Sequence, residues 1–298
     1  IEKSIWHAIQ KISTVCQQTT VNSFMSGILA HPIGQSLALP FTVSIFCSFL
    51  IRFLLNGKRG QHWVVLAVSA GILASYLATL GVPAFPPRFS SQKFFYVVVL
   101  VTLVSVTFRP SQKLLAKSVF FLIGPVVVFW LSEPTLSWQS PELFIPPILL
   151  AVLWLLTFRQ FDKLENAGFH GLLILIFGII GIAIAAKVGG SASITQLALS
   201  IFASVIGFGS VAWRDHGFNF NRVSTLTTVA PLLVLISQLV LFGGASVLAM
   251  LPLLALLFSA QAAARVFPNT KRPTLGIGTI CLVPLAASAT LALYLETM

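Results

Sequence analysis

Between Arg222 and Arg265 the chain runs for forty-two residues without one Asp, Glu, Lys or Arg. The hydrocarbon core of a bilayer is about 30 Å thick, and a helix rising about 1.5 Å per residue crosses it in roughly 20 residues. The run therefore holds two crossings, and Gly243-Gly244 stands near its middle to make the turn. A helix pair of that kind returns to the side it left, which puts Arg222 and Arg265 on the same face of the membrane. This stretch predicts an all-α, polytopic integral membrane protein.

The same logic divides the rest of the chain. Apolar runs bounded by charged or Pro-containing gaps predict crossings over residues 35–55, 63–82, 93–108, 114–131, 144–158, 169–186, 194–213 and 275–295, which with the opening pair makes ten. Arg52 lies near the end of the first and can snorkel. Pro83-Ala84-Phe85-Pro86-Pro87 cannot continue a helix. Lys187-Val188-Gly189-Gly190 turns the sixth crossing into the seventh. Ahead of them, residues 1–34 predict an amphipathic interfacial helix and a linker. Ile1, Ile5, Ile9, Ile12 and Cys16 recur at helical spacing, and Trp6 is placed to anchor at headgroup depth. Packing of that helix on the protein's own loops fits the pattern equally well. Residues 1–20 have no long apolar core of the signal-peptide kind.

Charge tests this division. With 57% hydrophobic and 8% charged residues, the net charge of +11 is not that of a soluble nucleic-acid binder, because the cations fall in the gaps between apolar runs. One face of the membrane would hold Arg52, Lys58, Arg59, Arg109, Lys113, Lys117, Arg159, Lys163, Arg214, Arg222, Arg265, Lys271 and Arg272. The other would hold Lys3, Lys11, Arg88, Lys93 and Lys187. The positive-inside rule then places both termini outside, in a bacterial-type inner (cytoplasmic) membrane, with contacts to anionic membrane lipid.

The densest charge, Arg159, Asp162, Lys163 and Glu165, divides the ten-helix domain of residues 35–298 into halves of about 35–158 and 169–298. Five helices is an odd number, so two such halves insert in opposite directions, as in inverted-repeat transporters. Pro125 and Pro252 fall at equivalent places in the fourth and ninth crossings. In outline this resembles the ten-helix drug and metabolite exporters, although those keep their ends inside and no motif carries the likeness.

The search for chemistry returns mostly absence. No Asp or Glu lies in the middle of a crossing, which argues against proton coupling through a buried carboxylate. There is no phosphate loop, no HExxH and no nucleophile with a supported base. Cys16, Cys47 and Cys281 are too scattered for a disulfide framework or a metal site. His62 and His170, at the inner ends of the second and sixth crossings, could serve as axial ligands to haem or chlorophyll. A boundary histidine bonded to headgroups is the simpler account. No cofactor and no metal are expected.

Two stripes carry more. In the seventh crossing Gln196, Ser200, Ala203, Gly207 and Ser210 share one face, and small residues in that pattern predict close helix packing. In the eighth, Ser224, Thr227, Pro231 and Gln238 share a face. Pro231 frees a carbonyl one turn earlier, and Gln238 is the one amide well inside a crossing. Such a face lines a polar path or glues helices together, and with Pro125 and Pro252 it supplies the candidate solute path. The expected function is a transporter or channel for a small neutral or amphipathic solute. The alternative is a non-catalytic subunit or assembly factor of a larger membrane complex, with other membrane subunits as partners. An enzyme ranks last.

Overall fold

The computed structural model describes residues 31–55, 63–107, 113–133, 144–164, 169–213, 222–242, 252–266 and 273–297. The interfacial helix with Trp6, His62 and the Gly243-Gly244 turn lie outside them. Ten helices are found among the described residues. They are α1 (Gly34–Leu54), α2 (Leu66–Leu80), α3 (Ser90–Thr107), α4 (Lys113–Ser132) and α5 (Ile145–Lys163), then α6 (His170–Val188), α7 (Ala192–Ala212), α8 (Arg222–Phe242), α9 (Ser259–Val266) and α10 (Pro273–Thr297). Seven of them, α1, α3, α5, α6, α7, α8 and α10, are long and apolar enough to cross a membrane. The chain is a polytopic helical membrane protein.

Of the other three, α4 covers the whole of the crossing expected over 114–131, whereas α2 is shorter than the one expected over 63–82. Apolar helix extends over Leu66–Leu80 in α2, over Phe121–Ser132 in α4, and over Pro252–Ala263 at and before α9. At about 1.5 Å per residue, the fifteen residues of α2 rise about 22 Å, less than a bilayer core. The starts of α2 and α9 each follow a local feature. Val64-Val65 is apolar but forms a turn ahead of α2, and the Leu256–Phe258 segment tightens into a 3-10 turn ahead of α9. By contrast, α3 begins at Ser90, three residues ahead of the crossing expected from Lys93, and is a full-length candidate. Helix α5 continues past residue 158 to Lys163 because Arg159 and Lys163 lie on its exposed face and cost it nothing.

Two local devices shape the helices. The first turn of α1, Gly34–Ala38, is a π turn just ahead of Pro40. A proline ring clashes with the carbonyl four residues earlier, and widening the turn relieves that clash. Between α6 and α7, Gly190 adopts φ +73°, a conformation glycine takes without a Cβ penalty. There Ser191 N–H returns to the carbonyl of Ala186 at 2.9 Å and closes the α6 terminus.

Helix α8 is the axis of the bundle. It is buried along most of its length and packs against α2, α3, α4, α5, α6 and α7. Its Ser, Thr and Gln side chains are buried with its apolar ones, as suits a helix enclosed by others rather than facing lipid. Helix α1 packs on α2 and α7, α4 on α5, and α10 on α6 and α9. The packing does not repeat between the halves: α10 rests on α6, whereas α5, its counterpart, rests on α4 and α8 rather than on α1.

Contacts between helices sort their ends into two layers. Ser75, late in α2, bonds the carbonyl of Gln35 at the start of α1 and the hydroxyl of Ser200 in the first half of α7. The start of α3 meets the end of α4 through Lys93 and Trp130, and the end of α8 through Ser90 and Gln238. On the opposite layer the start of α6 meets the end of α7, with the Phe169 and Trp213 rings 5.0 Å apart. The end of α5 meets α9 there, through Gln160 and Gln261 at 3.2 Å.

Candidate functional site

The polar face of α8 is packed. Ser224, Thr227, Pro231 and Gln238 are all buried. The Thr227 hydroxyl donates back to the carbonyl of Val223 at 2.7 Å, and Thr228 donates to that of Ser224. The Gln238 amide donates across to the carbonyl of Ser90 at 2.6 Å. Gln238 stands one turn from the end of α8, level with the first residue of α3. Pro231 lies inside α8 and Pro125 inside α4, and Pro252 is helical ahead of α9. These residues are spread over several helices and are not gathered around one cavity.

The small residues of α7 meet α1 and α2 closely. A Cβ on Gly207 would lie 2.7 Å from the Phe41 carbonyl, and one on Gly71 would lie 2.7 Å from that of Pro40. Ser44 donates to the Ser204 carbonyl at 2.8 Å, and Ser200 shares a 2.6 Å bond with Ser75. Ala203 is buried on the same helix. Backbones this near gain dispersion contacts that larger side chains would forbid.

His170 stands at the start of α6, half-buried. Among the described residues no group of three or more His, Cys, Asp or Glu is arranged to hold a metal. Cys281 is buried and donates weakly to the Ser259 hydroxyl at 3.2 Å.

A buried cation escapes sequence reasoning. Lys93, placed by its position among loop charges, has a side chain only 6% exposed. Its ammonium donates to the carbonyl of Trp130 at 2.6 Å and lies 5.3 Å from the centre of the Trp130 ring. Trp130 is in the last turn of α4, where helix carbonyls have no partner of their own and the helix dipole favours a cation. Glu133 approaches at 3.5 Å but is itself 73% exposed.

A cleft of about 400 Å³ lies between α5, α6, α8 and the residues leading into α9. Leu150, Leu153 and Phe161 form one wall, Ile174, Leu175 and Ile182 a second, and Leu232, Leu233 and Ile236 the floor. Thr157 is the one hydroxyl among its lining residues. Two glycines of α6, Gly178 and Gly181, pack against Leu232 and Leu253, which line the cleft. At Gly178 the wall lies 3.6 Å from where a Cβ would be, and at Gly181 the Leu253 side chain occupies the Cβ position. The cleft opens sideways from the bundle between Leu149, Val152 and Leu156 on one lip and Leu254 on the other, exposed by 62%, 46%, 49% and 37%. Val152 and Leu156 also wall a second hollow of about 510 Å³, which they share with Phe121, Leu155, Arg159 and Asp162.

No family model, curated protein or solved structure matches this chain. The site must be read from its own geometry. An apolar cleft with a lateral mouth, and with Thr157 as the hydroxyl among its described lining residues, can bind an apolar or amphipathic molecule.

Proposed function

We propose that the protein is a membrane transporter for a small amphipathic solute, which enters from the bilayer through the lateral mouth of the α5/α6/α8/α9 cleft. The cleft carries this reading. It joins helices of the first and second parts of the chain, its wall is apolar, and its lips are exposed where lipid would surround the bundle. In this reading all ten expected crossings pass through the bilayer, those holding α2, α4 and α9 included, because the interhelical contacts sort the helix ends into two layers. The alternation of cations adds an orientation: both ends of the chain outside, and Arg159 and Lys163 on the inner side of a bacterial-type cytoplasmic membrane. Inverted five-helix halves are not part of the proposal.

The test is movement of a fluorescent short-chain phospholipid between the leaflets of vesicles containing the purified protein. Leu149→Trp and Leu254→Trp place bulk at the mouth without entering the core. Each is expected to slow movement about tenfold, equivalent to roughly 1.4 kcal/mol. Movement at the wild-type rate in both variants contradicts the reading.

The second reading, a non-catalytic subunit of a larger membrane complex, is supported by α1. Only 17% of its span is buried, and Phe46, Phe49 and Phe53 form an exposed aromatic ridge at spacings of three and four. A stoichiometric membrane partner retained through purification, and lost with Phe46→Ala and Phe49→Ala together, would favour it.

A further inference from the structure

We infer that the cleft and the hollow beside it form a binding site for a two-chain phospholipid with an anionic headgroup, held from the leaflet at the end where α5 and α9 finish. The inference rests on the cleft reading above for the place of one chain, and adds the headgroup chemistry. Val152 and Leu156 make a ridge with an apolar space on each side: the cleft toward α6 and α8, and the hollow toward α4. Two acyl chains can straddle that ridge, whereas a single-chain or compact solute uses only one side.

Charge fixes the polar end. Gln160 accepts from the Gln261 amide at 3.2 Å and ties α5 to α9 where the two spaces run toward the membrane surface. Arg159 and Lys163 flank that tie on α5, and Arg265 follows it by one turn on α9. All three are exposed. Arg159 itself lines the hollow. Asp162 is the acidic side chain at this end among the described residues, half-buried beside Arg159. Three cations against one carboxylate favour a phosphate-bearing anionic headgroup over a zwitterionic one, because cations between helices near the surface draw anionic lipid.

The experiment gives purified protein in detergent an equimolar mixture of phosphatidylglycerol and phosphatidylcholine with identical chains, and counts retained lipid by native mass spectrometry. Wild-type protein is expected to retain phosphatidylglycerol in preference by tenfold or more. Replacing Arg159→Gln, Lys163→Gln and Arg265→Gln together should abolish that preference, since a single cation near the surface is worth up to about fivefold. These side chains are exposed, so monodisperse elution should be unchanged. Leu149→Trp should lower retention of both lipids alike. Equal retention of the two lipids by wild-type protein overturns the inference. So does a preference unaltered in the triple variant, or retention undiminished by Leu149→Trp. Retention reads binding and not movement, so anionic lipid held by a protein that moves none supports this site while removing the transport reading.

Discussion

Lys93 and Gln238 show how much the partner decides what a polar residue does in a membrane. The Lys93 ammonium is nearly enclosed, and its shortest bond goes to the Trp130 carbonyl rather than to Glu133. Lys93→Met keeps most of the volume but leaves that carbonyl unpaired, which predicts a loss of about 1–3 kcal/mol in thermal unfolding in detergent. Glu133→Gln removes only an exposed charge at 3.5 Å and should cost less than about 1 kcal/mol. Equal losses in the two variants would mean that the ion pair, not the helix-end bond, holds Lys93. Gln238 ties α8 to the first residue of α3. Interhelical bonds of this kind average about 0.6 kcal/mol and reach about 1.7, so Gln238→Leu should lower stability within that range and leave lipid movement unchanged. Lost movement at full stability would return Gln238 to a solute path. Its neighbour across the bundle could not be read from the sequence. The spacing of Ser224, Thr227, Pro231 and Gln238 shows a shared face, but not what lies against it.

At the scale of elements, the gaps between apolar runs located the helices well, because a charge inside a span is costly and a proline breaks its bonding. Helix α1 was expected over 35–55 and is Gly34–Leu54; α7 was expected over 194–213 and is Ala192–Ala212. Lengths were less legible. The turn at Val64-Val65 consists of residues a helix would accept, so no local signal separates it from α2. The closeness of α1, α2 and α7 depends on glycines that face backbone. Gly71→Ala and Gly207→Ala must push helices apart, because each new Cβ would lie within 2.7 Å of a carbonyl oxygen. Each is expected to cost about 1–3 kcal/mol. Gly278→Ala in α10 meets nothing within 4 Å and should be neutral or slightly stabilising, since alanine is the better helix former. Denaturation of the three variants side by side checks this; a neutral Gly207→Ala would mean that α1 can shift without cost.

At the scale of the molecule, composition and the forty-two uncharged residues made the class of protein plain, whereas the cleft was invisible. It arises where four segments far apart in sequence leave a gap, and the residues of α8 that floor it, Leu232, Leu233 and Ile236, are apolar like most of that helix and carry no signal of their own. The account stands on a bundle whose helices all pass through the bilayer in alternation, so that the cleft opens into lipid and its cations lie at one surface. Single cysteines placed in a background free of Cys16, Cys47 and Cys281 test that directly. The positions are Val82 and Lys187 at one set of helix ends and Lys163 and Trp213 at the other, with a membrane-impermeant thiol reagent applied to intact cells. The account predicts labelling at 82 and 187 and none at 163 or 213 until the membrane is opened. Labelling at 163 together with 187, or protection of 82 while 187 is labelled, would contradict it.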